Sequence, residues 1–206
     1  MATISVRGQG TVWAQPDDVT VGLSAEALRP TGSEAFAEAT RLAADLVSLC
    51  DELGVPAGSR TTSQVSFAEH GEHTDTGWQH RGYRASTRVA ARLADAELAS
   101  RLVSEAAARL EVRIDGLTWR VVRDNPAHSE ARRRASEDAR SRAEEYAAAL
   151  GGRVGAVVEV VEAGSASPGP DPRMYAVRQE ISPMPLEAGE QEVVTEVDVT
   201  FQLEQG

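Results

Sequence analysis

The sequence predicts an α+β fold in which antiparallel hairpins pack against three helices, in the order ββα-ββ-α-β-α-ββ. Apolar and polar residues alternate over most of the predicted strands, which is typical of half-buried strands, whereas three other segments carry apolar residues at helical spacing. Hairpins dominate, and the helices are too few for a doubly wound parallel sheet. We expect a single domain over residues 1–206, because this length is enough to bury a core.

Two strands, joined at residues 15–17, and one helix form the N-terminal part of the predicted fold. Thr31 and Glu34 have the spacing of a capping box, which predicts where the helix begins. Gly54 predicts the end of the helix, and Pro56 prevents its continuation. The apolar stripe that we expect this helix to bury consists of Phe36, Ala39, Ala43, Leu46, Val47, Cys50 and Leu53.

A long hairpin is predicted next. Val65 and Phe67 alternate with polar residues in its first strand, and residues 83–93 alternate in its second. The segment from His70 to His80 is polar and has no apolar periodicity, so we expect a solvated loop at the tip of the hairpin.

Two further helices follow the hairpin. The second helix runs from about Asp95 to Leu110, and residues 117–121 form a strand after it. The third helix begins at Asn125, a capping residue that precedes a proline at the first helical position. Alanine dominates its predicted buried stripe, which implies a close approach to the surface that it covers: Ala131, Ala135, Ala139, Ala143, Tyr146, Ala147 and Leu150.

The C-terminal part of the chain combines two strands with an irregular segment. Residues 154–161 form the first strand, and residues 193–203 alternate clearly enough to predict the second. Between them, the segment from Gly164 to Gly189 holds five of the nine prolines. We therefore expect a long proline-rich excursion there rather than regular structure.

Composition excludes several classes of site. All 21 basic residues are arginine, so no lysine is present to form a Schiff base or a phosphate-binding loop. The net charge of −11 argues against nucleic-acid binding, and the single cysteine, Cys50, excludes an internal disulfide. No export signal or membrane helix is predicted, so we expect a cytoplasmic protein from the sequence as it stands, and a periplasmic or extracytoplasmic one if a signal has been removed.

The strongest candidate for a metal site is the group His70, His73 and His80, which has acidic residues between its members. Imidazole and carboxylate are suitable ligands for zinc, but a hairpin tip does not hold them in a fixed geometry. A solvated loop is therefore the preferred interpretation, and the alternative is a metal-binding protein or a metal-dependent enzyme that uses these three histidines. We find no nucleophile–base pattern and no cofactor motif, so neither catalytic residues nor a cofactor are predicted.

Arginines are also concentrated in the third predicted helix, where acidic residues lie four positions away from them. This spacing is typical of a solvated helix face with ion pairs rather than of an anion-binding patch. The four expected pairs are Glu130–Arg134, Arg133–Glu137, Arg134–Asp138 and Arg140–Glu144.

Charge is unevenly distributed along the chain. Residues 81–153 contain 15 arginines and 11 acidic residues, whereas the remainder contains 6 arginines and 21 acidic residues. Opposed charges of this kind can guide docking between subunits, so we expect a homo-oligomer. The predicted contact residues are Arg84, Arg88 and Arg92 on the hairpin, Glu196 and Asp198 on the last strand, and Met174, Tyr175 and Met184 in the excursion.

Taken together, several segments resemble the SIMPL-domain family, a bacterial family of largely unknown function. They are Gly8–Val12 with residues 15–17, Gly82–Ser86, the alanine-rich helix from Glu130 with the following Gly151, and Gly189–Val193 with the alternating last strand. The resemblance implies an α+β fold, homo-oligomers and a role in stress response, and it brings no catalytic motif. We therefore expect a non-enzymatic, self-associating protein that contributes to stress tolerance.

Overall fold

The computed structural model describes residues 2–75, 77–163 and 186–205. Its element order confirms the predicted order and the α+β class. The strands are β1 (Thr3–Ala14), β2 (Asp18–Arg29), β3 (Arg60–Thr74), β4 (Gly77–Leu93), β5 (Val112–Arg120), β6 (Gly152–Ala163) and β7 (Gln191–Gln205), and the helices are α1 (Gly32–Glu52), α2 (Ala96–Arg109) and α3 (Pro126–Ala149). None of the described helices is both long and apolar enough to span a membrane.

The chain forms two compact units, each with its own sheet. The first unit contains β1, β6, β7 and α3, and the second contains β2 to β5, α1 and α2. The expectation of a single domain over residues 1–206 stays a prediction. Of the proline-rich excursion predicted from Gly164 to Gly189, residues 164–185 lie outside the described residues.

In the first unit, α3 covers one face of an antiparallel sheet with the strand order β1-β7-β6. The alanine stripe is buried as predicted, and two glycines of β1 explain how close the helix lies. A Cβ atom added to Gly8 would lie 2.6 Å from the backbone nitrogen of Ala139, and one added to Gly10 would lie 2.6 Å from that of Ala135. The helix backbone therefore rests directly on the strand.

The predicted stripe of α3 is wrong at two positions. Tyr146 and Leu150 are 60% and 68% exposed. The buried residues form one row with a spacing of four, from Ala127 to Ala147. Because alanine lets the helix approach so closely, its contact with the sheet is narrow, and larger residues beside this row stay in solvent.

In the second unit, α1 and α2 pack on one face of an antiparallel sheet with the order β3-β4-β2-β5. The predicted capping box is present, since Thr31 and Glu34 exchange hydrogen bonds at the start of α1. The predicted stripe of α1 is wrong for Phe36 and Val47, which are 53% and 39% exposed. The buried face is turned slightly around the helix and consists of Ala35, Ala39, Leu42, Leu46, Leu49 and Cys50.

The predicted loop at the hairpin tip is also wrong. β3 continues to Thr74 and β4 begins at Gly77, so the segment from His70 to His80 belongs largely to paired strands. Gly77 has φ +110°, a value that favours glycine and places the reversal of the chain here. The segment is polar because both of its faces are solvated, not because it lacks strand structure.

Candidate functional site

The three histidines of the hairpin do not converge. His80 Nδ1 lies 2.7 Å from Glu69 Oε1, and the ring of His73 meets that of Trp78 edge-on, with centroids 5.4 Å apart. His70 takes part in neither contact. In the part of the chain that the structure describes, no three His, Cys, Asp or Glu side chains are grouped so that they could hold a metal ion. The geometry therefore gives the metal-binding alternative no support.

No third strand of the described residues lies beside the distal part of the β3–β4 hairpin. The pairing of β2 with β4 ends at Arg29 and Tyr83, so residues 70–75 and 77–82, which we call the hairpin arm, pair only with each other among the described strands. At about 3.3 Å per residue, the arm extends about 20 Å beyond the four-stranded sheet. A two-stranded ribbon by itself is only marginally stable in water, so the arm gains from any partner that covers it.

Apolar side chains along this hairpin are exposed. Phe67 stacks on Tyr83 with ring centroids 5.8 Å apart, and His80 meets Tyr83 edge-on at 5.1 Å. Phe67 and Trp78 are 52% and 53% exposed, and Val65 is also exposed. Half-exposed rings on an edge strand and on the arm that continues it are a typical feature of a protein interaction surface.

The arginines that we predict as contacts lie on the outer face of β4, and two of them have partners within the chain. Arg84 Nε lies 3.2 Å from Glu26 Oε1, and Arg88 Nε lies 3.0 Å from Asp115 Oδ2. Arg92 forms no ion pair with any described residue. Of the three arginines, Arg92 is therefore the one whose charge has no partner among the described residues.

Asp115, the partner of Arg88, is the most enclosed carboxylate of this network. Burial acts to raise the pKa of Asp115, but hydrogen bonds from Ser24 and Arg113 and the charge of Arg88 outweigh it, so the pKa lies below its usual value. Ser24 Oγ donates to Asp115 at 2.6 Å, and Arg113 Nε donates at 2.9 Å. Ion pairs within the chain therefore connect neighbouring strands at the centre of this outer face.

The acidic residues that we predict as contacts on β7 also have a partner within the chain. Arg7 on β1 donates two hydrogen bonds of 2.8 Å to Asp198, and its Nη1 lies 3.5 Å from Glu196 Oε2. The hydrogen bond from Arg7 lowers the pKa of Asp198. Intermolecular use of these residues stays a prediction, and Met174, Tyr175 and Met184 lie outside the described residues.

The ion pairs expected on α3 are present with one exception. Glu130–Arg134 and Arg140–Glu144 have distances of 2.9 and 3.0 Å, and Arg133 pairs with Glu137. The predicted pair of Arg134 with Asp138 is wrong. Asp138 instead accepts from Arg142 Nε at 2.9 Å and from the backbone nitrogen of Gln9, while Arg134 Nη1 donates to the carbonyl oxygen of Thr11 at 2.8 Å. This helix face is a solvated ion-pair surface that also binds the backbone of β1.

Sequence reasoning missed a second apolar surface, on β6. Val157, Val158, Val160 and Val161 are between 50% and 60% exposed. Two valine doublets place apolar side chains on both faces of the strand, whereas a strand with one buried face alternates. These two doublets were the sequence feature from which the exposed apolar surface of β6 could have been predicted.

Comparison with known proteins adds a family to these observations. The sequence profile of the family SIMPL, described as a protein of unknown function (DUF541), matches residues 4–201, which is nearly the whole chain and both units. A search of curated proteins returns no match.

Proposed function

The chain belongs to the SIMPL family, and from this premise we propose that it is a non-enzymatic protein that associates with copies of itself through the hairpin arm. The observation that carries the proposal is the arm itself, which pairs only with itself among the described strands and carries the half-exposed ring of Trp78, while the half-exposed Phe67 lies on β3 near the base of the arm. Covering these rings would bury apolar surface at about 25 cal/mol per Å². The family description names no activity.

Charge adds a second argument for self-association. Residues 81–153 are net basic and the remainder of the chain is strongly acidic, so two copies can place opposite charges against each other. Arg92, which forms no ion pair among the described residues, is available for such a contact without breaking an internal one. Exposed ion pairs contribute little each and are screened by salt, so charge guides docking while apolar burial stabilises the assembly.

Substitution of two aromatic residues, Phe67 and Trp78, tests this interaction surface. Phe67→Ser combined with Trp78→Ser removes the exposed rings, and we expect the mass of the assembly measured by light scattering to fall towards that of the monomer. Trp13→Ser is the matched control, because Trp13 is also more than half exposed but lies on β1. An unchanged mass in the double variant, or an equal loss in the control, would contradict a role of the arm.

A role in stress tolerance is the finer part of this proposal, and the family resemblance alone supports it. Cells that lack the protein should survive an oxidant less well than cells in which the wild-type chain is restored. The arm variant should restore survival poorly if assembly is needed for this role. Full survival without the protein would contradict a role in tolerance of that oxidant.

A further inference from the structure

β6 is an edge strand of the described sheet, and four of its valines are half or more exposed. It pairs with β7 alone among the described strands, and it is 12 residues long. The apolar cluster beneath α3 is built from β1, α3 and β7, and among the described residues of β6 Val154 packs against it. α3 also contacts the far end of β6 through the ion pair of Arg132 with Glu162 at 3.2 Å, but the four valines between these two contacts are half or more exposed.

The exposed valines lie on both faces of the sheet. Val160 stands opposite Val199, whose side chain faces α3, and Val161 stands opposite Asp198, whose side chain lies on the other face. A partner on one face alone would cover only half of them. A strand added to the edge of β6 would contact both sets at once, because its own side chains alternate between the faces.

The two edges of this sheet differ in their backbone. Along β1, the N–H of Gln9 donates to Asp138 at 2.9 Å and the carbonyl of Thr11 accepts from Arg134 at 2.8 Å, so side chains of α3 occupy that edge. Among the described residues, no side chain donates to or accepts from the backbone of β6. The register of β6 with β7 shifts between Val154 and Val157 and between Val157 and Glu159, which bends the strand there, but an apolar edge without hydrogen bonds from side chains remains a template for pairing with another strand.

The charged residues of β6 indicate which kind of strand would pair with it. Arg153 lies near the start of β6 and forms no ion pair among the described residues, although Glu204 stands opposite it in the ladder. Glu159 and Glu162 lie near the other end of β6; Glu162 is paired with Arg132 of α3 at 3.2 Å, whereas Glu159 forms no ion pair with a described residue. Antiparallel pairing of two β6 strands brings Arg153 of one copy towards the acidic end of the other, whereas parallel pairing would place like charges side by side.

We infer that the free edge of β6 pairs antiparallel with β6 of a second copy of this chain, which covers the four valines on both faces of a sheet continuous between the two copies. The inference rests on the proposed self-association and names a surface different from the hairpin arm. A subunit with two separate contact surfaces can build assemblies larger than a dimer.

A charge placed on the edge tests the inference in the full chain. Val160→Lys should raise the dissociation constant of the assembly at least tenfold in analytical ultracentrifugation, since a lysine on an edge strand opposes pairing. Tyr146→Lys is the matched control: Tyr146 and Val160 are equally exposed, and Tyr146 lies in the same unit beside Ser5 and Arg7 of β1. Circular dichroism establishes that both variants are folded.

A crosslinking experiment gives an independent readout. Val158→Cys treated with a short bifunctional thiol reagent should give a covalent dimer, whereas Trp13→Cys should not; the native Cys50 is fully buried and does not compete. If the wild-type chain assembles but Val160→Lys does not weaken assembly and Val158→Cys gives no dimer, the β6 contact is wrong and self-association stands. If the wild-type chain is a monomer at every concentration, both proposals fall. A loss of thermal stability in Val160→Lys without loss of mass would show that another part of the same chain covers β6, and would also overturn the inference.

Discussion

Asp138 on α3 accepts a hydrogen bond of 2.9 Å from the backbone nitrogen of Gln9 on β1. This hydrogen bond lowers the pKa of Asp138 and satisfies a backbone group on the strand edge that carries the two close-packed glycines. One edge of the first sheet is thus bound by side chains of its own helix, and β6 forms the other edge, beside which the described residues place no further strand.

Removal of the Asp138 carboxylate should destabilise the first unit. We expect Asp138→Ala to lower the free energy of unfolding by about 1 kcal/mol, since the Gln9 N–H loses its acceptor on the protein. Glu144→Ala, which breaks only an exposed pair with Arg140, should change it by less than about 0.5 kcal/mol. Urea denaturation of both variants checks this, and equal effects would show that the bond to Gln9 contributes nothing specific.

Overpacking beneath α3 should be costly. Ala139 is fully buried against the strand that carries Gly8. We expect Ala139→Leu to cost about 1–3 kcal/mol or more, because neither the helix backbone nor the strand has room for extra methyl groups. Ala148→Leu, on the exposed side of the same helix, should be nearly neutral. Thermal unfolding of the two variants should differ clearly, and equal melting temperatures would contradict this packing.

Asp17 should make stability depend on pH in the acid range. A hydrogen bond from the backbone nitrogen of Val122, and then those from the side chain of Asn125, hold its pKa below the usual value. A carboxylate whose folded-state pKa is depressed stabilises the fold above its unfolded pKa, ~4, and loses this contribution as pH falls through the folded value. Asp17→Asn should therefore be less stable than wild type at pH 7, with a difference that shrinks below pH ~4.

Urea denaturation at several pH values measures this difference. Asp124→Asn serves as the control, because it removes a neighbouring exposed carboxylate for which no such hydrogen bond is seen among the described residues. A constant difference between Asp17→Asn and wild type across the acid range would show that Asp17 does not titrate as the geometry requires.

The hairpin histidines should matter little for folding. Replacing His70, His73 and His80 with serine should change the free energy of unfolding by less than about 1 kcal/mol, because the contact of His80 with Glu69 is exposed and the others are surface positions. A chelator should leave the melting temperature of the wild-type chain unchanged. A large loss in the variant, reproduced by the chelator, would restore the metal-binding hypothesis.

The sequence was sufficient for features that local chemistry determines. The capping box at Thr31, the start of α3 at Asn125 and the alanine stripe are each set by a few neighbouring residues. The orientation of α1 was missed at Phe36, because the pattern of apolar residues fits two adjacent faces and the sheet decides which one is buried. Tertiary packing, not helix propensity, makes that choice.

The interaction surfaces were harder to predict, since exposure depends on what lies beside a strand. Phe67 alternates as a core residue does, yet it lies on β3 at the edge of the sheet and stays half exposed. The sequence of the hairpin arm resembles that of a loop, because apolar and polar residues no longer alternate when both faces of a ribbon are solvated. The valine doublets of β6 are visible in the sequence, but its position at the edge of the described sheet depends on the strand order β1-β7-β6, which links distant parts of the chain.

The mass of the purified full chain in solution, measured by light scattering across protein concentration at low and high salt, tests the central claim most directly. The account predicts a mass that is a multiple of 22.0 kDa, which decreases as salt screens the guiding charges but does not reach the monomer value while apolar contacts remain. An assembly of constant mass at all salt concentrations would remove the contribution of charge. A mass of 22.0 kDa at every concentration and ionic strength would contradict self-association itself.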